Sequence, residues 1–167
     1  MTTVDEEFIF QSIREALEIR GWCMLAGQAA RGSTDLPVVQ ARVGSMRGSK
    51  GALKPDLIAA TTGHLLVLEL KPRFSASDVD KCNELASSQA LIDSLLKDLA
   101  SRRKWAVGSS GQPERPRCFL TGIAYRGEVQ QLEHAVCFAL SASNQRWSTR
   151  LPRLKPLSAD LITSLTI

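Results

Sequence analysis

Three charged side chains stand at the ends of a short, otherwise apolar part of the sequence: Asp56 precedes it, and Glu69 and Lys71 close it. Two carboxylates that face each other repel, so such a pair on an apolar segment needs a compensating charge. A divalent cation would supply it, because Mg²⁺ and Mn²⁺ prefer oxygen ligands and usually bind one or two carboxylates while keeping several waters. These residue types therefore indicate a Mg²⁺ or Mn²⁺ site formed by Asp56 and Glu69.

The element that must position these charges is a β-hairpin over residues 54–71. Two apolar runs flank a Thr-Gly turn signal at residues 62–63. A two- or four-residue loop centred there sets a register in which Asp56 faces Glu69, and the alternation of side chains along a strand puts Lys71 on the same face. A three-residue loop would shift the register by one residue and weaken this pairing. The favoured register also pairs Ile58 with Val67 and Ala60 with Leu65.

The elements around the hairpin alternate between helices and strands. This order predicts a single domain over residues 1–167, with a three-layer α/β/α sandwich around a mixed β-sheet. The apolar periodicity and the turn signals predict the elements in this order: a helix over 5–20, strands over 22–28 and 37–43, the hairpin, a long helix that begins after Ser75 or Ser77 and ends with the basic residues 102–104, strands over 118–125 and 135–140, and a short helix after Ser158.

At the charged residues the sequence resembles a known family. Pro55-Asp56, a spacer of twelve residues and Glu69-Leu70-Lys71 are similar to the motif of the PD-(D/E)XK nucleases, the restriction-endonuclease-like superfamily. The resemblance implies a restriction-endonuclease-like fold and hydrolysis of DNA phosphodiester bonds. It also implies that Asp56, Glu69 and the backbone carbonyl of Leu70 hold Mg²⁺ or Mn²⁺, and that Lys71 positions or deprotonates the attacking water or stabilises the developing charge.

The resemblance draws attention to one residue on each flanking helix. Glu6 extends the inward stripe of the first helix, and in this family a glutamate ahead of the core strands often joins the metal site. Gln89 occupies an inward position of the long helix, where the family often places a glutamine or lysine; Lys81 is a weaker candidate on another side of that helix. The alternatives are that Glu6 complements the helix dipole and that Gln89 is a structural residue at the edge of the core.

Basic side chains without intervening acids lie in two parts of the chain and are candidate contacts to a phosphate backbone. One part is the glycine-rich stretch 44–51 with the residues after it, and the other is the tail around Trp147. As alternatives, such loops are ordinary solvated connectors, and a lone tryptophan more often packs on the core. The candidate nucleic-acid contacts are Arg47, Lys50, Lys54, Arg73, Arg146 and Arg150.

The composition, with 44% hydrophobic and 23% charged residues in a chain of 167, is typical of a globular protein. The apolar runs are too short to span a membrane and the first residues are acidic, so we expect a cytoplasmic protein without membrane contact. The net charge of +4 permits nucleic-acid binding, and two histidines leave little room for a zinc site. The four cysteines have no metal-type spacing and are interpreted as reduced core residues.

Two hypotheses follow from the sequence. The first is a metal-dependent nuclease that acts on DNA, in which Asp56, Glu69 and Lys71 are all needed. The second is a catalytically silent nuclease-like domain that binds DNA or a protein partner, because folds of this type are reused and a fold does not fix a function. Dimerisation is common in such families, so a homodimer or a larger nuclease assembly is a further expected state.

Overall fold

The computed structural model describes residues 2–28, 35–42 and 52–167. Within these ranges the chain forms α-helices and β-strands in the mixed order that the sequence predicts. The helices are α1 (Thr2–Ile19), α2 (Ala76–Ser87), α3 (Gln89–Ser101) and α4 (Ala159–Leu165). The strands are β1 (Cys23–Gly27), β2 (Ala41–Arg42), β3 (Ala52–Leu53), β4 (Leu57–Thr61), β5 (His64–Lys71), β6 (Cys118–Arg126), β7 (Val136–Leu140) and β8 (Trp147–Arg150).

Six strands form one mixed sheet in the order β1-β4-β5-β6-β7-β8. The central pairs β5–β6 and β6–β7 are parallel, whereas the outer pairs are antiparallel. The mixed α/β class and the mixed sheet predicted from the sequence are therefore confirmed. No helix in the described ranges combines the length and apolar character that crossing a bilayer requires.

The hairpin β4–β5 has apolar side chains on both faces, and helices cover each face. Leu66, Leu68 and Leu70 point to the face where α1 and α4 pack. Leu65 and Val67 point to the opposite face, where α2 and α3 pack. Because both faces of β5 are covered, any charged side chain on this strand lies close to apolar surroundings unless it stands at an end of the strand.

The turn of the hairpin is a two-residue loop with positive φ at both positions, 47° at Thr62 and 79° at Gly63. This is the type I′ geometry, whose twist matches that of the flanking strands. The strand pairs predicted from the sequence are confirmed: Ile58 pairs with Val67, and Ala60 pairs with Leu65. A β-branched residue is unusual at positive φ, so Thr62 adopts a conformation that costs free energy.

The prediction of one long helix after the hairpin is wrong, because the helix is divided at Ser88. This residue has extended backbone angles, φ −103° and ψ 103°, and its hydroxyl accepts a hydrogen bond from the Leu91 N–H. Serine competes well for backbone N–H groups and therefore favours caps over helix interiors. As a result α2 ends at Ser87 and α3 begins at Gln89 with a new helical phase.

The predicted strand over 37–43 is also largely wrong. Within residues 37–42, the described part of this stretch, only Ala41–Arg42 is a strand, and it pairs with β3 in a separate two-stranded sheet. Side chains of α3 take backbone hydrogen bonds that a sheet neighbour would otherwise take: the Gln40 N–H donates to Asp98 at 2.9 Å, and the Arg42 N–H donates to Ser94 at 2.8 Å.

The tail contains a strand that the sequence analysis did not predict. β8 pairs with β7 at the edge of the sheet. Trp147 packs against the core, and its indole N–H donates to Ser12 Oγ at 3.0 Å. The final helix is present as predicted, with the Ser158 hydroxyl as its N-cap.

All four cysteines are free thiols, as expected, but they are not all core residues. Cys82 and Cys137 are buried, Cys118 is partly buried and Cys23 is exposed. The prediction of a core position is therefore wrong for Cys23, which lies at the start of the edge strand β1.

Candidate active site

Asp56 and Glu69 meet at the open end of the hairpin. Asp56 lies directly before β4, and its backbone N–H donates to the Leu68 carbonyl at 3.1 Å. In return, the Leu70 N–H donates to Asp56 Oδ2 at 2.8 Å. This hydrogen bond holds the aspartate against β5. Asp56 and Glu69 each change the pKa of the other, so their carboxyl groups lie close together.

Burial raises the pKa of both acids, whereas the interaction between them raises the pKa of Glu69 and lowers that of Asp56. Burial raises the pKa of Glu69 to about 8, and the negative charge of Asp56 adds to the effect. Burial also raises the pKa of Asp56, while the hydrogen bond from Leu70 acts in the opposite direction. Two carboxyl groups in contact cannot both ionise easily, so near neutral pH they share one proton. A bound cation would take the place of that proton.

Lys71 lies on the same face of β5 as Glu69, because two residues separate equivalent positions of a strand. Its side chain is partly buried. Its positive charge lowers the pKa of both Asp56 and Glu69, so the ammonium group lies within electrostatic range of the carboxyl pair. The patch therefore contains two acids that share a proton and one cationic donor.

The backbone carbonyl of Leu70 completes a set of three oxygen donors. In an extended strand the N–H and C=O of one residue point to the same neighbour, and the N–H of Leu70 points to Asp56. The Leu70 carbonyl therefore also points toward Asp56, next to the two carboxyl groups.

Glu6 is partly buried on α1, and its negative charge contributes to the raised pKa of Asp56, after burial. The structure therefore places Glu6 within electrostatic range of the carboxyl pair. In the described part of the chain, however, no three His, Cys, Asp or Glu side chains converge closely enough to hold a metal ion. The side-chain ligands available to a cation in the described residues are then two carboxylates at most, which is a usual number for Mg²⁺.

The predicted inward position of Gln89 is wrong. Its side chain is exposed at the start of α3, where its amide donates to Asp93 Oδ1 at 2.9 Å. The break at Ser88 causes this difference, because the inward position was counted along one uninterrupted helix. The structure does not place Gln89 with the carboxyl pair.

Two residues of α2 interact with Glu69 instead, and of these the sequence analysis missed Asp78. Asp78 is only 4% exposed, and its carboxylate accepts a hydrogen bond from Lys81 Nζ at 2.8 Å. Burial alone would raise the pKa of Asp78, but the hydrogen bonds from Lys81 and Ser75 lower it. The Lys81 charge lowers the pKa of Glu69, and the Asp78 charge raises it. An acid three residues after a capping serine was the available signal, and it was interpreted only as a helix cap.

A cavity of about 10 Å³ lies behind Glu69, between the sheet and α2. Lys81 and Cys82 line it on the helix side, and Thr121 of β6 lines it on the sheet side. The Thr121 hydroxyl is buried without a hydrogen-bond partner. A space of this size is about what one water molecule needs.

The candidate nucleic-acid contacts that lie in the described residues occupy two places. Lys54 and Arg73 are close in sequence to Asp56 and Lys71 and are exposed. Arg146 and Arg150 flank and end the edge strand β8, three strands from β5, which corresponds to about 14 Å. The other two candidate contacts, Arg47 and Lys50, lie outside the described residues.

Two larger cavities, of about 410 Å³ and 510 Å³, occur elsewhere in the described part of the chain. Asn83, His134 and Lys155 line the first, and His64 and Arg117 line the second. Neither is lined by the carboxyl pair, so the candidate site lies outside both of these cavities. No protein-family model matches the chain, and no curated protein matches it at a significant level.

Proposed function

We propose that the protein is a metal-dependent nuclease that hydrolyses phosphodiester bonds of DNA. The observation that carries the proposal is the close approach of the partly buried Asp56 and Glu69 carboxyl groups, with Asp56 fixed by the Leu70 N–H and Lys71 nearby. A purely structural role does not account for a glutamate whose pKa is raised both by burial and by a neighbouring aspartate. The six-stranded mixed sheet with helices on both faces supports a restriction-endonuclease-like fold, as the motif implies.

The donor set fits Mg²⁺ or Mn²⁺. Asp56, Glu69 and the Leu70 carbonyl would hold the ion, and all three are the hard oxygen ligands that these ions prefer. A bound ion would polarise the scissile phosphate and lower the pKa of a coordinated water. Because the protein would supply only these three ligands, the remaining coordination positions would be open for that water and for phosphate oxygens.

Within this patch Lys71 would orient or deprotonate the attacking water, or stabilise the negative charge that develops on the phosphate. Lys81 adds a second positive charge on the helix side of Glu69, and its ion pair with Asp78 holds its ammonium group in place. DNA would bind along the exposed basic side chains Lys54 and Arg73 and extend toward Arg146 and Arg150 at β8.

A catalytically silent domain that binds DNA or a protein partner is the second candidate. One observation favours it: in the described ranges the carboxyl pair lacks a third acidic or histidine side chain in coordinating position. DNA affinity that falls with salt, does not need a divalent metal and is not accompanied by cleavage would support this candidate. A lack of any salt-dependent affinity for DNA would point to a protein partner.

Cleavage of single-stranded, duplex and branched DNA in Mg²⁺ and in Mn²⁺ tests the proposal directly. We expect cleavage by the wild-type protein and its loss in Asp56→Asn, Glu69→Gln and Lys71→Met, with each variant still folded by circular dichroism. Glu15→Gln, an exposed acid on α1, is the matched control and should retain full activity. Activity that survives Glu69→Gln would overturn the assignment.

A further inference from the structure

Phe74 is a solvent-exposed aromatic residue close to the candidate active site. It follows Lys71 by three residues in the segment that leads from β5 to α2, and 41% of it is exposed. Only one other aromatic side chain in the described ranges is among the large exposed hydrophobic residues, Phe8 on α1. Exposure of a large apolar ring is unfavourable, so its position next to the charged patch calls for a reason.

The sheet places Phe74 beside Lys71. Lys71 pairs with Tyr125 on the neighbouring parallel strand, so the two side chains share a face and their strands are about 4.8 Å apart. The ring of Phe74 packs on that of Tyr125, with a centroid distance of 5.4 Å. Phe74 therefore covers the strand next to Lys71, and the exposed Arg73 lies between them in the chain.

Tyr125 is a fixed support for this ring. It is 1% exposed, and its hydroxyl donates to the Glu128 carbonyl at 2.6 Å. The two rings meet edge to face, at an interplanar angle of 63°. Whichever ring supplies the edge, at least one face of Phe74 is not covered by Tyr125, and 41% of the residue is exposed to solvent.

We propose that Phe74 stacks on an unpaired base next to the scissile phosphate, so that the substrate is single-stranded or locally unpaired DNA. This inference rests on the proposed nuclease function. Lys71 and Arg73 would hold phosphate groups, and the ring beside them would receive a base of the same strand. In an intact duplex each base is stacked between its neighbours and offers no free face, whereas unpaired bases stack readily on aromatic side chains.

The test compares Phe74→Ala and Phe74→Trp with the control Phe8→Ala, which removes a phenylalanine that is 46% exposed on α1. Dissociation constants are measured by fluorescence anisotropy in EDTA, for labelled oligothymidylate and for a blunt duplex. We expect Phe74→Ala to weaken binding to the single strand about tenfold and binding to the duplex less than about twofold. Phe74→Trp should bind as the wild type does, and Phe8→Ala should have no effect.

Cleavage of the same two substrates in Mn²⁺ gives a second readout, in which the single strand should again lose about tenfold in Phe74→Ala. Equal effects of Phe74→Ala and Phe8→Ala, or equal losses on both substrates, would overturn the stacking role while leaving the nuclease proposal intact. A wild-type protein that neither binds nor cleaves DNA would overturn both. Thermal melts of each variant show that the losses do not arise from unfolding.

Discussion

The backbone N–H of Leu70 donates a 2.8 Å hydrogen bond to Oδ2 of Asp56. Oδ2 therefore accepts a hydrogen bond from β5 at the point where the backbone ladder of the hairpin ends. Oδ1 takes no part in this bond and could bind the proposed metal ion. The same residue is thus needed both for local structure and for the proposed metal site. The two roles can be separated by substitution, because an amide oxygen accepts a hydrogen bond as well but carries no charge.

We expect Asp56→Asn to abolish cleavage, by roughly 100-fold or more, while it keeps the bond from Leu70 and the wild-type stability. Asp56→Ala should lose activity to the same extent and be less stable than Asp56→Asn by about 1–3 kcal/mol, because the buried N–H is left without an acceptor. Chemical denaturation of the two variants measures the difference. Equal stability would show that this hydrogen bond does not hold the hairpin end.

Glu69→Gln should stabilise the metal-free protein, and more at high pH than at low pH. The pKa of Glu69 is raised from 4.5 to about 8 in the folded protein, so the folded state retains a proton that the unfolded state releases. Stability of the wild type therefore falls as pH rises from about 4.5 to about 8 and changes little beyond. The uncharged glutamine avoids this loss, which is on the order of a few kcal/mol.

Thermal melts of wild type and Glu69→Gln in EDTA, at acidic and at alkaline pH, measure this effect. Each kcal/mol should raise Tm by about 2–4 °C in a chain of this size. The exposed acid variant Glu15→Gln should show no such pH dependence. A constant difference in Tm between Glu69→Gln and wild type across the whole range would contradict the raised pKa of Glu69.

Addition of Mg²⁺ or Mn²⁺ should raise the Tm of the wild-type protein, because the ion binds only the folded carboxyl pair. At a metal concentration about 100 times the Kd, the free energy of unfolding rises by about 2.7 kcal/mol. The gain should be larger above pH 8 than at pH 6, since the ion must displace the proton that the pair shares. The Tm of Asp56→Asn and of Glu69→Gln should not rise when metal is added, whereas the Tm of Glu15→Gln should rise as much as that of the wild type. A similar rise in all four proteins would indicate unspecific binding.

Thr62→Asn should stabilise the protein by about 0.5–1 kcal/mol without changing cleavage, because asparagine tolerates the positive φ that a β-branched residue adopts at a cost. Gly63→Ala should have the opposite effect, since φ is 79° there and alanine adopts this conformation only at a cost in free energy. Denaturant midpoints of the two variants give the comparison. Destabilisation by Thr62→Asn would contradict the assigned turn.

The hairpin and its register could be predicted because they depend on local information. A Thr-Gly signal between two apolar runs locates the turn, and a two- or four-residue loop centred there gives the pairing that the structure shows. The same is true of α1, of β6 and β7, and of the serine cap of α4. These elements are encoded by periodicity and turn chemistry within a few residues of one another.

The features that the sequence analysis missed depend on competition between local and distant partners. Ser88 could continue a helix or cap one, and only the packing of α2 and α3 decides between them. β8 is a strand because β7 provides an edge for it to pair with, since its four residues WSTR carry no strong strand signal of their own. Asp78 was overlooked because its burial, at 4% exposure, arises from contacts that α2 makes after folding.

The hairpin also bears on the order in which the protein folds. Leu70 and Asp56 are 14 residues apart, whereas the parallel pairing of β5 with β6 joins His64 to Cys118 across both α2 and α3. Contacts that are close in sequence form early and rapidly, and hairpins form within about 1–10 μs. The carboxyl pair is thus brought together by one of the fastest contacts in the chain, while Tyr125 arrives only when the slower pairing of β5 with β6 closes beside it.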